Sequence, residues 1–321
     1  MKLNRRNVIR MAALSALPFP AVQALAQAWP THPVRIVHGY DAGTNPDTIS
    51  RIISPALGER IGLPVIVEPK PGAAGRIATR YVAGLPGDGY TMLMLTAGDA
   101  VVAALDRKVQ YKLLEDFSFV SSVIEFPFLF CVRAGSPIKS LGDLMAAAKG
   151  QPGRVSFGTP GVGTTHSLAA ELLQKQTGIE LQHIPYKGNA FTDLLGARVD
   201  FLIATPSVSL PLIRSGKVRA IATTSKSALA SLPDVVPVAQ VVPDYEVNSW
   251  LGLAVPAATP AERVRKLSSD VQATIAVESV QTALEGTGSI VVPSNSEAFR
   301  ARIERDVRKW ASLVDRVKLE G

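Results

Sequence analysis

Apolar residues fall along this chain in short runs separated by polar turns that carry glycine. Val34-Arg35-Ile36-Val37 predicts a first strand. A polar turn follows, Tyr40-Asp41-Ala42-Gly43-Thr44-Asn45-Pro46-Asp47, and then a helix over residues 48–61 with Ile49, Ile52, Ile53 and Leu57 on its inner side. Gly62 stops that helix, and Val65-Ile66-Val67-Glu68 reads as the next strand. A second glycine turn, residues 69–75, enters another helix. Thr91-Met92-Leu93-Met94-Leu95 is a continuous apolar run of the kind a buried parallel strand shows, and it ends in Thr96-Ala97-Gly98. Residues 117–132 are apolar and β-rich, with a break at Pro127; a helix over residues 140–150 follows.

The most informative stretch is residues 155–173. A short apolar strand ends in Thr159-Pro160-Gly161-Val162-Gly163-Thr164-Thr165-His166 and passes into a helix striped by Leu168, Leu172 and Leu173. Thr164 or Thr165 caps it, and Gly178 ends it. A helix start behind glycines offers unpaired backbone N–H groups at the positive end of the helix dipole, which suits an anion. A plain strand-to-helix turn with no ligand is the alternative on this stretch alone. Farther on, 199–204 and 218–223 are strands, the first running into Thr205. Residues 250–255 are apolar and suited to crossing back to the first half. Pro260 opens one more helix. The last, from 296 to about 317, carries Phe299, Ile303, Val307, Trp310 and Val314 at helical spacing.

The two halves echo each other. Residues 35–39 align with 154–158, each strand leads through a turn to a helix that stops at glycine, and the second strands end in Pro69-Lys70-Pro71-Gly72 and Pro185-Tyr186-Lys187-Gly188. In the gapless alignment Asp47 falls opposite His166. Two such units predict two similar α/β domains with strand ends facing a shared cleft.

The N-terminus changes the charge picture. Arg5, Arg6 and Arg10, the apolar run from Met11 to Leu17 and the Ala24-Leu25-Ala26 and Ala26-Gln27-Ala28 sites predict a signal peptide, residues 1–28, cut after Ala28. The paired arginines also suit a twin-arginine route. The chain has 34 basic and 27 acidic residues; taking off Lys2, Arg5, Arg6 and Arg10 leaves 30 against 27, or +3. That near-neutral balance, with no basic cluster among aromatics, argues against nucleic-acid binding. The single cysteine, Cys131, reads as a small core residue.

Nucleotide and metal chemistries do not fit. Gly158 and Gly163 have P-loop spacing, but Thr164 stands where the lysine belongs; Gly161-Val162-Gly163 is followed by His166 rather than the third Rossmann glycine. There is no Gly-x-Ser-x-Gly, His-Glu-x-x-His or Cys-x-x-Cys. With four histidines and one cysteine no metal or other cofactor is expected. A hydrolase using His166 as base is a minor alternative.

At these residues the chain resembles the solute receptors of tripartite tricarboxylate transporters, the Bug family. The likeness runs from Trp29 to the C-terminus. It rests on the loop before Arg51, on Glu68-Pro69-Lys70-Pro71-Gly72-Ala73-Ala74-Gly75, Asp88-Gly89-Tyr90-Thr91, Gly161-Val162-Gly163-Thr164-Thr165-His166, Ile184-Pro185-Tyr186-Lys187-Gly188 and Ser249-Trp250-Leu251-Gly252-Leu253. The resemblance implies a type II periplasmic-binding-protein fold. Two α/β domains would be joined by a two-strand hinge, with residues 29–125 plus 251–321 as the first and 126–250 as the second. It implies a periplasmic, monomeric, non-enzymatic receptor that passes an organic carboxylate to membrane transporter subunits; a sensor for a signalling partner would use the same fold. The family's ligands include di- and tricarboxylates, acidic amino acids, nicotinate-like acids and aromatic dicarboxylates. The implied ligand-binding residues are Tyr40, Asp41, Ala42, Gly43, Thr44, Asn45 and Asp47 in the first loop, and Thr96, Ala97 and Gly98 after the buried strand. Thr159, Gly161, Val162, Gly163, Thr164, Thr165 and His166 belong to the second loop, with Tyr186 and Thr205 beyond. The first loop departs from the family's run of glycines before Thr-Asp: Asn45 and Pro46 stand there, and Pro46 removes an N–H donor. Asp41, Asp47 and Asp99 facing inward would disfavour a fully anionic dicarboxylate. Otherwise Asp41 faces solvent and Asp47 caps its helix. Ala204 makes the far end of the pocket more apolar.

Overall fold

The computed structural model describes residues 29–106, 108–186 and 190–314. The expected signal peptide, Lys187, Gly188 and the expected end of the last helix, residues 315–317, lie outside the described residues. Two mixed sheets carry the fold. The first is six-stranded in the order β11-β4-β10-β3-β1-β2 and the second five-stranded in the order β7-β6-β8-β5-β9. Their strands are β1 Val34–His38, β2 Val65–Pro69, β3 Thr91–Thr96, β4 Phe117–Pro127, β10 Asn248–Pro256 and β11 Ile290–Val291, then β5 Leu129–Arg133, β6 Ser156–Thr159, β7 Gln182–Pro185, β8 Phe201–Ala204 and β9 Val218–Thr223.

The same plan is used twice. In the first sheet β1 lies between parallel β2 and β3, and antiparallel β10 then separates β3 from β4. In the second, β6 lies between parallel β7 and β8, and antiparallel β5 separates β8 from β9. The antiparallel strand of each sheet enters from the other: β5 follows β4 across Phe128, and β10 follows β9 through residues 224–247. β10 is the crossover that residues 250–255 predict.

Helices cover both faces of the first sheet, as parallel strands buried on both sides require. On one face α1 (Asn45–Ile61), α8 (Ala261–Ile275) and α9 (Glu278–Gly286) bury Ile49, Ile53, Leu57, Leu267, Val271 and Leu284. On the other, α2 (Arg76–Ala83), α3 (Ala97–Leu105) and α10 (Ser296–Val314) bury Val82, Val101, Phe299 and Ile303. The Trp250 indole N–H donates to Asp306 at 2.6 Å, fastening α10 to β10. In the second domain, β5 alternates as a buried strand should. Phe130 and Val132 join the core shared with α4 (Leu141–Gly150) and α5 (Thr165–Thr177), while Leu129 and Cys131 face α6 (Phe191–Leu195) and α7 (Pro206–Arg214). Cys131 is a fully buried core residue whose thiol is pushed up to about 12 by desolvation.

Two details differ from the sequence reading. Helix α1 begins at Asn45, not residue 48, because Pro46 fits the first turn, where a missing N–H costs nothing. The pairing of Asp47 with His166 also shifts by one residue. The two N-caps are Thr44 and Thr164, which sets Asp47 opposite Ser167, each at the third helical position. The second turn carries an extra residue that a gapless alignment hides. Both predicted stops hold: Gly62 and Gly178 are left-handed at φ 79° and 68°, and their N–H groups close on Gly58 and Gln174.

Candidate functional site

Both glycine turns leave the C-terminal ends of their strands and enter helices pointing at one place. In the first, Gly43 is left-handed (φ 79°), Thr44 caps α1, and its hydroxyl donates to the Asp41 carbonyl at 2.6 Å. In the second, Gly163 is left-handed (φ 76°), Thr164 caps α5, and its hydroxyl donates to the Gly161 carbonyl at 2.8 Å. Thr164 Oγ1 also accepts the Ser167 N–H at 3.3 Å, so the cap satisfies one of the helix's first donors. Thr96 precedes α3 and Thr205 precedes α7. Four threonine-headed helix starts therefore gather between the sheets.

A cavity of about 170 Å³ lies among them. The first domain contributes Tyr40, Ala42, Gly43, Thr44, Asn45, Pro46 and Thr96; the second contributes Gly158, Thr159, Pro160, Thr164, Thr165, His166 and Thr205. Phe126, Ser249 and Leu251 on the crossover strands close one side. Ala190, Phe191, Leu202, Ile203, Ala204 and Val208 form the far wall, which makes that end apolar. Among the described residues no lysine, arginine, aspartate or glutamate lines the cavity.

The acids of the first jaw are turned to internal work. Asp47 accepts the Gly43 N–H at 2.9 Å, both oxygens meet Arg51 Nε at 3.0 Å, and one lies 3.2 Å from His38 Nε2. Burial alone would raise this carboxyl, but the Arg51 hydrogen bond, the Gly43 N–H and the nearby positive charge hold it below the usual carboxylate range. The His38 ring is fully buried, and desolvation outweighs Asp47 to lower its pKa. Asp99 accepts from the Thr96 N–H (2.9 Å), the Thr96 hydroxyl (3.0 Å) and the Thr79 hydroxyl (2.7 Å), while burial raises its pKa.

Other sequence-predicted residues sit around the cavity without lining it: Asp41, Ala97, Gly98, Gly161, Val162, Gly163 and Tyr186, together with Asp47. Ala97 and Gly98 are buried behind Thr96, Val162 is half exposed, and Tyr186 packs behind Gly158. Gly161 and Gly163 instead meet the opposite domain. A Cβ on Gly161 would lie 3.7 Å from the Ala74 Cβ, and one on Gly163 would lie 3.4 Å from Arg76 Nη2. The 69–75 turn of the first domain thus closes against the second loop at the cavity rim.

Sequence reasoning left out the aromatic and aliphatic wall. The strand-like 250–255 run marked one crossover and Pro127 only a break in an apolar run, and nothing marked Phe126 or Ser249 as facing a cavity. His166 is half-buried, packs against Phe128 with ring centroids 4.2 Å apart, and is held neutral, its pKa lowered to about 3 by desolvation. Among the described residues it makes no hydrogen bond with a hydroxyl or carboxylate. Among the described residues there is also no cluster placed to hold a metal ion, and no helix long and apolar enough to cross a membrane.

Comparison with known proteins bears on this arrangement directly. The model of the tripartite tricarboxylate transporter family receptor matches residues 49–319. Protein BugT of Bordetella pertussis is 30% identical over 299 residues, covering 92% of both chains. The structure of periplasmic binding protein BugD superposes with a TM-score of 0.86 at 31% identity, covering 90% of this chain and 98% of that one. Rpa4515 of R. palustris, solved with adipate, gives 0.86 at 30% identity, covering 89% and 97%. These proteins are solute-binding receptors rather than enzymes, and the fold is their two-domain periplasmic-binding-protein fold. With family model, full-length likeness and twice-used sheet plan in agreement, the chain belongs to the tripartite tricarboxylate transporter receptor family.

Proposed function

We propose that the chain is an exported periplasmic receptor that captures one small organic carboxylate between its two domains and delivers it to the membrane subunits of a tripartite tricarboxylate-type transporter. One observation carries the reading. The cavity takes its walls from both sheets and stands at helix N-termini, yet among the described residues no charged side chain lines it. Backbone N–H groups and helix dipoles are then the anion-holding elements. Such a site is complete only when both jaws meet, so ligand and closed state stabilise each other. The jaws are residues 29–125 with 251–321 and residues 126–250. The ligand-contacting set comprises the wall residues Tyr40, Thr44, Asn45, Thr96, Thr159, Thr164, Thr165, His166 and Thr205. Gly43, Gly161 and Gly163 shape the loops, and Asp47 braces the first of them. The leader, residues 1–28, is removed after Ala28, and the mature receptor works as a monomer.

Thermal unfolding of the purified mature protein against a carboxylate library tests this, together with mass spectrometry of any acid that copurifies. A ligand present at 100 times its Kd stabilises by about 2.7 kcal/mol and raises Tm visibly. No shift with any acid, and no acid retained, would remove the reading.

A further inference from the structure

We infer that the ligand of this chain carries one carboxylate rather than two, an apolar body, and a neutral group that both donates and accepts a hydrogen bond at Asn45. This rests on the receptor reading above and narrows it to a class: hydroxy- or carboxamido-monocarboxylates.

The four helix starts at the cavity are unequal. On α5 the threonine cap takes only the Ser167 N–H, and among the described residues no acceptor meets the Thr165 and His166 N–H groups, which leaves an anion seat there. On α3 the Ala97 and Gly98 N–H groups also meet no acceptor among the described residues, but neither residue lines the cavity, and a carboxyl of the chain itself stands at that helix start. The Asp99 carboxyl already accepts the N–H and hydroxyl of Thr96 and the hydroxyl of Thr79, so a ligand carboxylate would find that end occupied by its own kind. On α7 the first helical residue is Pro206, which has no N–H, and the Val208 N–H closes on the Thr205 carbonyl at 3.3 Å. The Thr205 hydroxyl is 3.1 Å from the Ser207 hydroxyl. The surrounding far wall is Phe191, Leu202, Ala204 and Val208. Among the described residues a second carboxylate lying there would lose its hydration with neither a cation nor a full set of donors in exchange.

On α1 Pro46 likewise removes a donor, and a side chain stands in its stead. Asn45 lines the cavity, is 3% exposed, and has neither its Oδ1 nor its Nδ2 hydrogen-bonded. Buried amides are ordinarily paired at both ends. A carboxylate can only accept and so satisfies Nδ2 alone. An ammonium can only donate, and it would face the positive ends of helices. A hydroxyl or a carboxamide answers both atoms of Asn45 at once.

Isothermal titration of the mature protein with two matched series tests the inference. The first is adipate, its monoamide, 6-hydroxyhexanoate and hexanoate. The second is benzene-1,4-dicarboxylate, 4-carbamoylbenzoate, 4-hydroxybenzoate and benzoate. The expected result is that, on a skeleton that fits, the carbamoyl or hydroxy acid binds at least tenfold more tightly than the dicarboxylate. In N45L, shown by circular dichroism to be folded, the ratio of the substituted to the unsubstituted monocarboxylate falls toward one; N45D, which keeps the shape but only accepts, lowers it too. A dicarboxylate tighter than its own monoamide would overturn the inference and leave the receptor reading standing, as would an unchanged ratio in N45L. Failure of every acid, with none in the wider library binding, would remove both.

Discussion

Gly163→Ala separates the two things the second loop does. Gly163 sits at φ 76°, in the left-handed region, and an added Cβ would approach Arg76 Nη2 at 3.4 Å across the cavity rim. A non-glycine residue in that region costs about 1–2 kcal/mol, and at about 2–4 °C per kcal/mol for a protein this large Tm should fall by about 2–8 °C. Gly178→Ala supplies the control. Gly178 has nearly the same backbone (φ 68°), with no heavy atom within 4 Å of its added Cβ. It ends the same helix about 20 Å from the cap, at 1.5 Å per residue. Both variants should therefore lose similar stability. Only Gly163→Ala should also lose affinity, because shifting the turn misaims the Thr165 and His166 N–H groups, and one charge-assisted hydrogen bond is worth about 1.5–3 kcal/mol, or about 10–100-fold in Kd. Thermal unfolding gives the first quantity and titration with the best-binding acid the second. Equal affinity loss in the two variants, or native Kd in Gly163→Ala, would refute the assignment of this loop as an anion seat.

Asp47→Asn should lower stability by about 1–2 kcal/mol and weaken ligand binding although Asp47 is outside the cavity, since its carboxylate holds the Gly43 N–H and Arg51; the folded pKa is depressed, so its stabilisation is present above the unfolded value and is lost as pH falls through the folded one, which a Tm-against-pH series of the two proteins reads. Glu171 behaves oppositely. Burial raises it to about 7, so the wild type gains stability as pH falls from about 7 toward the unfolded value near 4.5. Glu171→Gln should accordingly be more stable by about 1–2 kcal/mol at pH 8, after discounting for its partial exposure, and nearly neutral in effect at pH 4.5; a pH-independent difference in urea unfolding would contradict this. Gly252→Ala would place a methyl 2.2 Å from the Phe299 ring and 2.8 Å from the Ser121 carbonyl, and the overpacking should cost about 1–3 kcal/mol or more, visible as a lower urea midpoint at unchanged m-value.

The strands, the helix stops and both glycine turns were legible in the sequence because each depends on local chemistry. A continuous apolar run makes a buried strand, and a glycine can end a helix left-handed whatever packs above it. The acids were legible only as charges. Asp41, Asp47 and Asp99 raised the question of negative potential at the site. For Asp47 and Asp99 the partners that answer it, Gly43 and Arg51 for one and Thr79 and Thr96 for the other, are set by loop geometry and by a helix that packs alongside. The apolar wall was legible only at Ala204, since Phe126, Phe191, Val208 and Leu251 come from four separate segments that meet when the two sheets face each other. Their apolar character is shared with ordinary core residues, so periodicity alone had no means of separating wall from core.

That division has a consequence for how such a receptor changes its ligand. The features readable from the sequence, capped helices behind glycines, supply attraction for an anion and are built twice by the same strand order. On the function proposed above, selectivity sits in the features that are not repeated. Asp99 stops the start of α3 while α7 has Pro206; Pro46 removes a donor from α1 while α5 keeps one at His166. Each asymmetry deletes or fills one donor without disturbing a strand or a core residue. A two-jaw frame with near-equivalent helix starts can therefore be shifted between double and single anion seats by changes at the first helical turn alone, because there the missing N–H costs the fold nothing and alters only what the cavity offers.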